Sequence, residues 1–249
     1  MGKNSASTNL AQLIVCVIYF PCKNFFMGFQ SFITSGKVSL KLPMSSLPRE
    51  LLIATLNSGK LRELESLLSS LPFRVCDLSE FPGIRPVEEN GKSFRENAML
   101  KAVGYARQTG LLTLADDSGL EVDALGGAPG ILSARYAGEE ASDEERNLKL
   151  LGEIARSNNE NRGARFVCAI AVADERASLM NVLLGVCEGR IAERAHGKNG
   201  FGYDPVFIPK GFNKTFGELP DVVKAQISHR ARALKQARDF LTKHFRLKA

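Results

Sequence analysis

Two adjacent carboxylates, Asp116 and Asp117, follow the apolar run Leu111-Leu112-Thr113-Leu114 and stand before Ser118-Gly119. Fixed negative charge at the end of a buried strand is costly unless a cation or a strong donor meets it. The pattern predicts a strand over 111–115, a sharp turn through Asp116 to Gly119, and a second strand over 120–125. In that turn the Ser118 hydroxyl can meet a ligand or act as a cap. A second acidic pair opens the loop Glu88-Glu89-Asn90-Gly91. Carboxylates without accompanying His or Cys suit Mg2+, which takes one or two of them and leaves the remaining positions to water and phosphate oxygens. Read alone, each pair also fits a solvated turn.

Three further constellations carry chemistry. Thr55-Leu56-Asn57-Ser58-Gly59-Lys60 joins an apolar strand to a helix starting near Lys60. Backbone N–H groups and the dipole at a helix start favour an anion, Lys60 adds a point charge, and Thr55 and Asn57 add side-chain donors. The spacing is not that of a Walker A loop, and a βα turn with a solvated lysine is the plain alternative. Asn199-Gly200-Phe201-Gly202-Tyr203-Asp204-Pro205 places glycines around an aromatic ring. That lets a flat ligand reach the backbone and stack, with Asp204 as a nearby acceptor; a core Phe in a glycine-kinked strand is the alternative. Lys224-Ala225-Gln226-Ile227-Ser228-His229-Arg230 reads as the start of the last helix. Cations are unfavourable there unless an anion is bound, so Lys224 and Arg230 read as ligand contacts. His229 alone reads as a surface residue.

The elements that must position these groups follow from periodicity. Leu51 to Ala54 is a short buried strand, followed by a helix with Leu61, Leu64, Leu67, Leu68 and Leu71 on one face. Phe73 to Leu78 is a strand. Ser93-Phe94-Arg95-Glu96 is a capping box opening a helix to about Gln108, with Phe94, Ala98, Ala102 and Tyr105 inward. Ser142-Asp143-Glu144-Glu145 is a second box, opening a helix to about Arg156. Residues 165–173, 178–186 and 188–193 read as consecutive strands, and 201–208 as a strand or extended loop. A final helix from Ser228 turns Leu234, Ala237, Leu241 and Phe245 inward. Interleaved helices and strands with one run of strands predict an α/β fold with a mixed sheet.

At 44% hydrophobic and 24% charged residues, the composition is that of a globular protein and excludes fibrous or disordered classes. Five cysteines, odd in number and scattered, and three distant histidines exclude a structural zinc site and a disulfide framework, so a reducing compartment is the simplest home. The net charge of +6 is uneven: five of the 33 basic residues and none of the 27 acidic ones fall in residues 1–49. The remaining 200 residues therefore balance at +1, and nucleic-acid binding does not follow from the basic character of the whole. Residues 1–49 read as an N-terminal extension, disordered or not native, with Met44 as an alternative start, and residues 50–249 as the working domain. Leu10 to Cys22 is apolar but short for a membrane span. Lys3 resembles a signal-peptide n-region without a clear cleavage site, and the basic, acid-free, Ser-rich composition resembles a transit peptide poor in Arg.

Taken together, the motifs resemble the inosine triphosphate pyrophosphatases, also called non-canonical purine NTP pyrophosphatases. The resemblance runs from about Leu51 to Phe245. It rests on Ala54 to Lys60, Ser93 to Ala98 with Lys101-Ala102, Ala115 to Leu120, Gly126 to Gly130 with Ser133-Ala134-Arg135-Tyr136, and Gly200 to Pro205 with Ser228-His229-Arg230, in family order. Leu56 departs from the glycine of many members. The resemblance implies an elongated mixed sheet flanked by helices, two lobes with a central substrate cleft, and a cytoplasmic homodimer without nucleic-acid or membrane partners. It implies Mg2+-dependent hydrolysis of ITP, dITP or XTP to the monophosphate and pyrophosphate. Asp117 would be the proton acceptor and a Mg2+ ligand and Glu88 the other ligand, while Asp116 would orient the site. Thr55, Leu56, Asn57, Ser58, Gly59, Lys60, Ser118 and Lys224 would meet the triphosphate. Phe201, Gly202, Tyr203, Asp204, His229 and Arg230 would form the base pocket.

On this reading Arg230, and His229 if protonated or in the right tautomer, donates to a purine 6-oxo group. An adenine 6-amino group would set donor against donor, a penalty of roughly 1–3 kcal/mol per unpaired buried group. The sequence locates nothing that rejects the guanine 2-amino group. Two alternatives remain: a related pyrophosphatase for pyrimidine or modified nucleotides, and a nucleotide- or RNA-binding module without catalysis. The near-neutral body, and an Asp117 that repels phosphate unless a metal intervenes, speak against the second.

Overall fold

The computed structural model describes residues 48–157 and 159–247. The expectations for the N-terminal extension up to residue 47 lie outside the described residues. Among the described residues no helix is long and apolar enough to cross a membrane.

Six strands form one mixed sheet in the order β2-β1-β3-β4-β5-β6. Strand β1 (Arg49–Ile53) lies parallel to β2 (Phe73–Asp77) on one side and to β3 (Leu112–Val122) on the other. Strands β4 (Gly163–Ala173), β5 (Leu179–Ile191) and β6 (Phe207–Pro209) continue antiparallel from β3. The expected α/β architecture with a mixed sheet is therefore present.

Alternation along the strands sends successive side chains to opposite faces. Leu51, Ile53, Leu112, Leu114 and Ile170 face α1 (Ser58–Leu68) and α5 (His229–His244), where Leu64, Leu68, Leu234, Ala237 and Leu241 meet them. Leu52, Ala115, Ala169 and Ala171 face α2 (Phe94–Thr109) through its Ala98, Ala102 and Ala106. Alanine on both sides of that interface lets the α2 backbone lie close to the sheet. At the far end of β3 and β4, Leu120, Val122 and Phe166 pack with Leu150 and Ile154 of α3 (Asp143–Arg156). The caps read from the sequence are in place: Ser93 accepts from Glu96 N, and Ser142 forms a reciprocal box with Glu145.

Three expectations need correction. There is no turn at Asp116-Asp117-Ser118-Gly119; β3 runs unbroken through them, with Asp116 opposite Ile170 and Asp117 opposite Ala169. Polar side chains on a continuous strand are tolerated because cations meet them on both faces, as described below. Gly119 serves close packing instead of a turn, since a Cβ there would lie 2.3 Å from Ser133 Oγ and 2.7 Å from the Gly130 carbonyl oxygen. The two strands expected over 178–186 and 188–193 are the single strand β5. Finally, Lys224 belongs not to the last helix but to the short α4 (Asp221–Ile227), and Ser228 caps α5 separately by accepting from Ala231 N.

Candidate active site

The unbroken β3 decides what each carboxylate of the pair can do. Asp116 shares its face with Leu114 and turns toward α1 and α5; Asp117 shares its face with Ala115 and turns toward α2. Asp116 meets Lys60 Nζ at 3.3 Å and Arg230 Nε at 3.3 Å, and accepts from the Ser118 hydroxyl at 3.0 Å. Burial works to raise its pKa, but the Lys60 and Arg230 cations prevail and hold it well below the usual carboxylate range. Asp117 accepts from Lys101 Nζ at 3.1 Å. There burial prevails over Lys101 and Lys60, and its pKa is pushed up. Two neighbouring carboxyls are thus driven apart in proton affinity, the arrangement that separates a fixed anion from a proton acceptor.

The charges extend into a chain across the cleft. Arg230 places Nη1 on Glu63 and Nη2 on Ser118 Oγ at 2.8 Å. Glu63 also holds Lys224 Nζ at 2.8 Å, and Lys224 pairs with Asp204. From one end to the other the order is Lys60, Asp116, Arg230, Glu63, Lys224, Asp204. Burial raises the Glu63 pKa, but Arg230 and Lys224 together bring it below its ordinary value. The cations read as ligand contacts from their place at a helix start are therefore neutralised by protein carboxylates as well.

Of these groups Lys60, Arg230, Lys224 and Asp204 border a cleft of about 430 Å3. From the phosphate-loop segment, Thr55, Leu56, Asn57 and Lys60 line it. Asn57 caps α1, its Oδ1 accepting from Lys60 N at 3.0 Å, and the first turn of α1 carries no acidic residue. Asp117 and Ser118 form the floor, and Phe201, Gly202, Tyr203 and Asp204 the opposite wall, with Lys224, His229 and Arg230 beside them. Gly59 is turned away but fixes the wall: the Phe201 ring lies so close that a Cβ at Gly59 would sit 2.8 Å from its Cδ1. Ser58 is exposed and does not line the cleft. Glu88 is likewise exposed and outside the cleft lining; its neighbour Glu89 lines the cleft and accepts from Lys101 Nζ at 2.8 Å.

His229 is not the surface residue its sequence position suggests. It is buried, stacked on Phe166 at 4.7 Å, and its Nδ1 has no hydrogen-bond partner among the described residues. Burial, with Arg230 and Lys224 nearby, holds its pKa well below the ordinary histidine value, so the ring is neutral.

Sequence reasoning gives no role to Glu63, Lys101 or Phe166, and it names Glu89 only as a member of the Glu88-Glu89 acidic pair. Lys101 carried a legible signal: it interrupts the apolar stripe of Ala98, Ala102 and Tyr105 on α2, and a lysine there needs a buried partner. Glu63 carried none, being one charge among several on α1.

The donor set bears on a metal. Asp116 Oδ1 and Asp117 Oδ2 are buried without hydrogen-bond partners among the described residues. Among the described residues no cluster of three or more His, Cys, Asp or Glu stands ready for an ion. One or two hard oxygens with the rest of the shell left to substrate is the Mg2+ pattern, not that of a closed structural site.

Comparison with known proteins bears on the same residues. The model of the Ham1 family matches residues 51–240. A dITP/XTP pyrophosphatase from Desulforamulus reducens is 46% identical over 194 residues, 78% of this chain and 96% of the relative. One from Geobacter sulfurreducens is 48% identical over 191 residues, 77% of this chain and 96% of the relative. Among solved structures, a HAM1 protein from Coxiella burnetii superposes with a TM-score of 0.73 at 43% identity, covering 78% of this chain and 99% of that one. The Staphylococcus aureus Ham1 protein gives 0.71 at 41% identity, covering 79% and 100%.

Proposed function

The chain belongs to the Ham1 family, and on that premise we propose how its cleft works. It hydrolyses non-canonical purine nucleoside triphosphates (ITP, dITP and XTP) to the monophosphate and pyrophosphate, the reaction class named for its relatives. The observation that carries the reading is the split pair on β3: an Asp116 kept ionised by Lys60 and Arg230 beside an Asp117 whose proton affinity is raised.

In this reading Asp117 takes the proton from the water that attacks the α-phosphorus. The bond from the α-phosphorus to its bridging oxygen breaks and pyrophosphate leaves. Lys60, Lys101 and Lys224 neutralise the polyphosphate, and the α1 N-terminus with Thr55, Leu56, Asn57 and Ser118 orients it. Mg2+ would be held by Asp117 and by Glu89, the member of the Glu88-Glu89 pair that lines the cleft. When bound it supplies charge neutralisation on the phosphate oxygens. Phe201 stacks on the base, with Gly202, Tyr203 and Asp204 shaping the wall. Arg230 can only donate, and Nη1 and Nη2 each carry a second N–H, which suits a 6-oxo group. A neutral His229 can present either a donor or an acceptor at Nδ1, so rejection of adenine rests on Arg230.

The same reading takes residues 50–249 as the catalytic domain of a cytoplasmic homodimer that needs no nucleic acid or membrane. The buried free thiols of Cys168 and Cys187 fit a reducing compartment. The test is pyrophosphate release from ITP, dITP, XTP, GTP, ATP and UTP, with Mg2+ and with a chelator. The first three should exceed ATP in kcat/KM by about tenfold or more, the scale of one buried unpaired group. Equal turnover of UTP, or undiminished turnover in chelator, overturns the proposal.

A further inference from the structure

The Phe201–Asp204 wall is not held by its own strand. It follows β5 after a long loop and precedes only the three-residue β6. Besides the close approach of Gly59 and the Asp204 carboxylate, which accepts from Phe201 N at 2.8 Å, it is held by α3, a helix to which the reaction assigns nothing. The Gly202 N–H donates to Asp143 Oδ2 at 2.6 Å, and the Gly202 carbonyl accepts from Asn147 Nδ2 at 3.0 Å. Asp143 and Asn147 are four residues apart on α3 and so share one face. Together they grip both polar groups of a single peptide residue beside the stacking ring.

The grip is itself braced. Asp143 Oδ1 is held by Arg146 Nη2, and Arg146 Nη1 donates to the carbonyls of Ala134, at 2.9 Å, and Ala141. Tyr203, the next residue of the wall, donates its hydroxyl to the Ser133 carbonyl at 2.9 Å. Ser133 Oγ in turn accepts from Leu120 N on β3 at 2.9 Å. The wall is thus tied through α3 and the Ser133 turn to the strand that carries Asp116 and Asp117. Asn147 is buried, while Asp143 and Arg146 line the cleft.

We propose that Asp143 and Asn147 are positioning residues that set the Phe201 ring over the heterocycle, and so determine base affinity and base discrimination without touching the phosphates. The proposal rests on the nucleotide pyrophosphatase reading for its kinetic consequence but not for its structural one. Losing either grip frees one backbone group and lets the ring drift. Base-dependent binding then falls, while the fixed triphosphate machinery on β3 and α1 is unchanged.

The experiment uses Asp143→Ala, Asn147→Ala and Asp143→Asn in the full chain. Asn at 143 keeps an acceptor for Gly202 N–H, while its amide N–H2 takes the place of the oxygen that Arg146 Nη2 meets. Both alanine variants should raise KM for ITP about tenfold with kcat within threefold, and should narrow the ITP-to-ATP ratio in kcat/KM. Inhibition by inorganic pyrophosphate should be unaltered, and Asp143→Asn should stay within about twofold of wild type. Amide hydrogen exchange of the segment covering 201–204 should quicken in the alanine variants and not in Asp143→Asn, with or without nucleotide. An unchanged KM, a loss confined to kcat, or unchanged exchange at 201–204 overturns the proposal. If wild type does not hydrolyse ITP, the function reading fails and the exchange arm still decides the clamp. Should Asn147→Ala not fold, Asp143→Ala at the first turn of α3 decides it.

Discussion

Glu63 is the test of whether the charge chain is a structural unit. It is the only carboxylate joining Arg230 to Lys224 among the described residues, and the side chains of those cations are 2% and 7% exposed. Glu63→Gln keeps the shape and removes the charge. Breaking a buried pair by removing one partner costs roughly 3–5 kcal/mol. The Glu63 side chain is itself 25% exposed, which places the expected loss at the lower end, about 3 kcal/mol. For a domain of this size about 1 kcal/mol shifts Tm by roughly 2–4 °C, so the variant should melt about 6–12 °C below wild type near pH 7. A buried network is little screened, so the gap should survive about 0.5 M NaCl. The sign with pH is fixed by the lowered Glu63 pKa. Its stabilisation is full above the ordinary value of 4.5 and is lost as pH falls through the lower folded value, so the gap should close only in acid. A Tm within about 2 °C of wild type, or a gap that salt removes, would mean a surface-like pair worth at most about 1 kcal/mol, and the chain would not be a unit.

Other outcomes follow from the same geometry. Asp117→Asn should fold normally and lose at least about 100-fold in kcat, the usual scale of general-base catalysis; full pyrophosphate release from the variant removes Asp117 from its role. Lys101→Met leaves the facing Glu89 and Asp117 without their shared cation, so KM for Mg2+-ITP should rise and the profile of kcat/KM against pH should shift to higher pH; an unmoved profile counts against the pairing. Gly119→Ala must displace Ser133 or the Gly130 backbone, an overpacking cost of roughly 1–3 kcal/mol, measured as a lower urea midpoint with an unchanged m-value. His229 is neutral when folded, so below pH 6.5 the unfolded chain binds a proton that the native one does not, and stability should fall with acid by up to about 1.4 kcal/mol per pH unit. His229→Asn should flatten that slope between about pH 6.5 and 5, and an identical slope in both proteins refutes the assignment.

The main helices and the mixed α/β character of the sheet were legible because periodicity and caps are local. Phe94, Ala98, Ala102 and Tyr105 are all buried as their spacing requires, and Ser142 with Glu145 closes its box as written in the sequence. The turn at Asp116-Asp117 was misread for a physical reason. Local rules set carboxylates, serine and glycine outside strands, and what overrides them here are cations from α1, α2 and α5, brought in from 56, 16 and 114 residues away. Lys101 could have been found as a lysine in an apolar stripe. Glu63, Asn147 and Asp143 could not, because their partners are Arg230, Lys224 and the backbone of Gly202, all far along the chain.

The continuity of β3 also accounts for why two adjacent aspartates are needed instead of one. In a turn both carboxylates could share a single solvent-facing environment, and their proton affinities would stay close. On a pleated strand neighbours face opposite ways, so Asp116 faces Arg230 on α5 and Lys60 on α1, while Asp117 faces Lys101 on α2. The sheet itself then keeps one group ionised as an anchor for the charge chain that ends at the Phe201 wall, and sets the other, with its raised proton affinity, on the lining of the cleft. Exchanging the duties by sequence alone should therefore fail. Asp116→Asn removes the anion that Lys60 and Arg230 share, and should reduce stability as well as turnover, whereas Asp117→Asn reduces turnover alone. Paired melts and pyrophosphate-release assays on the two variants separate these outcomes. Equal melting of both would show that the strand's two faces do not divide the work.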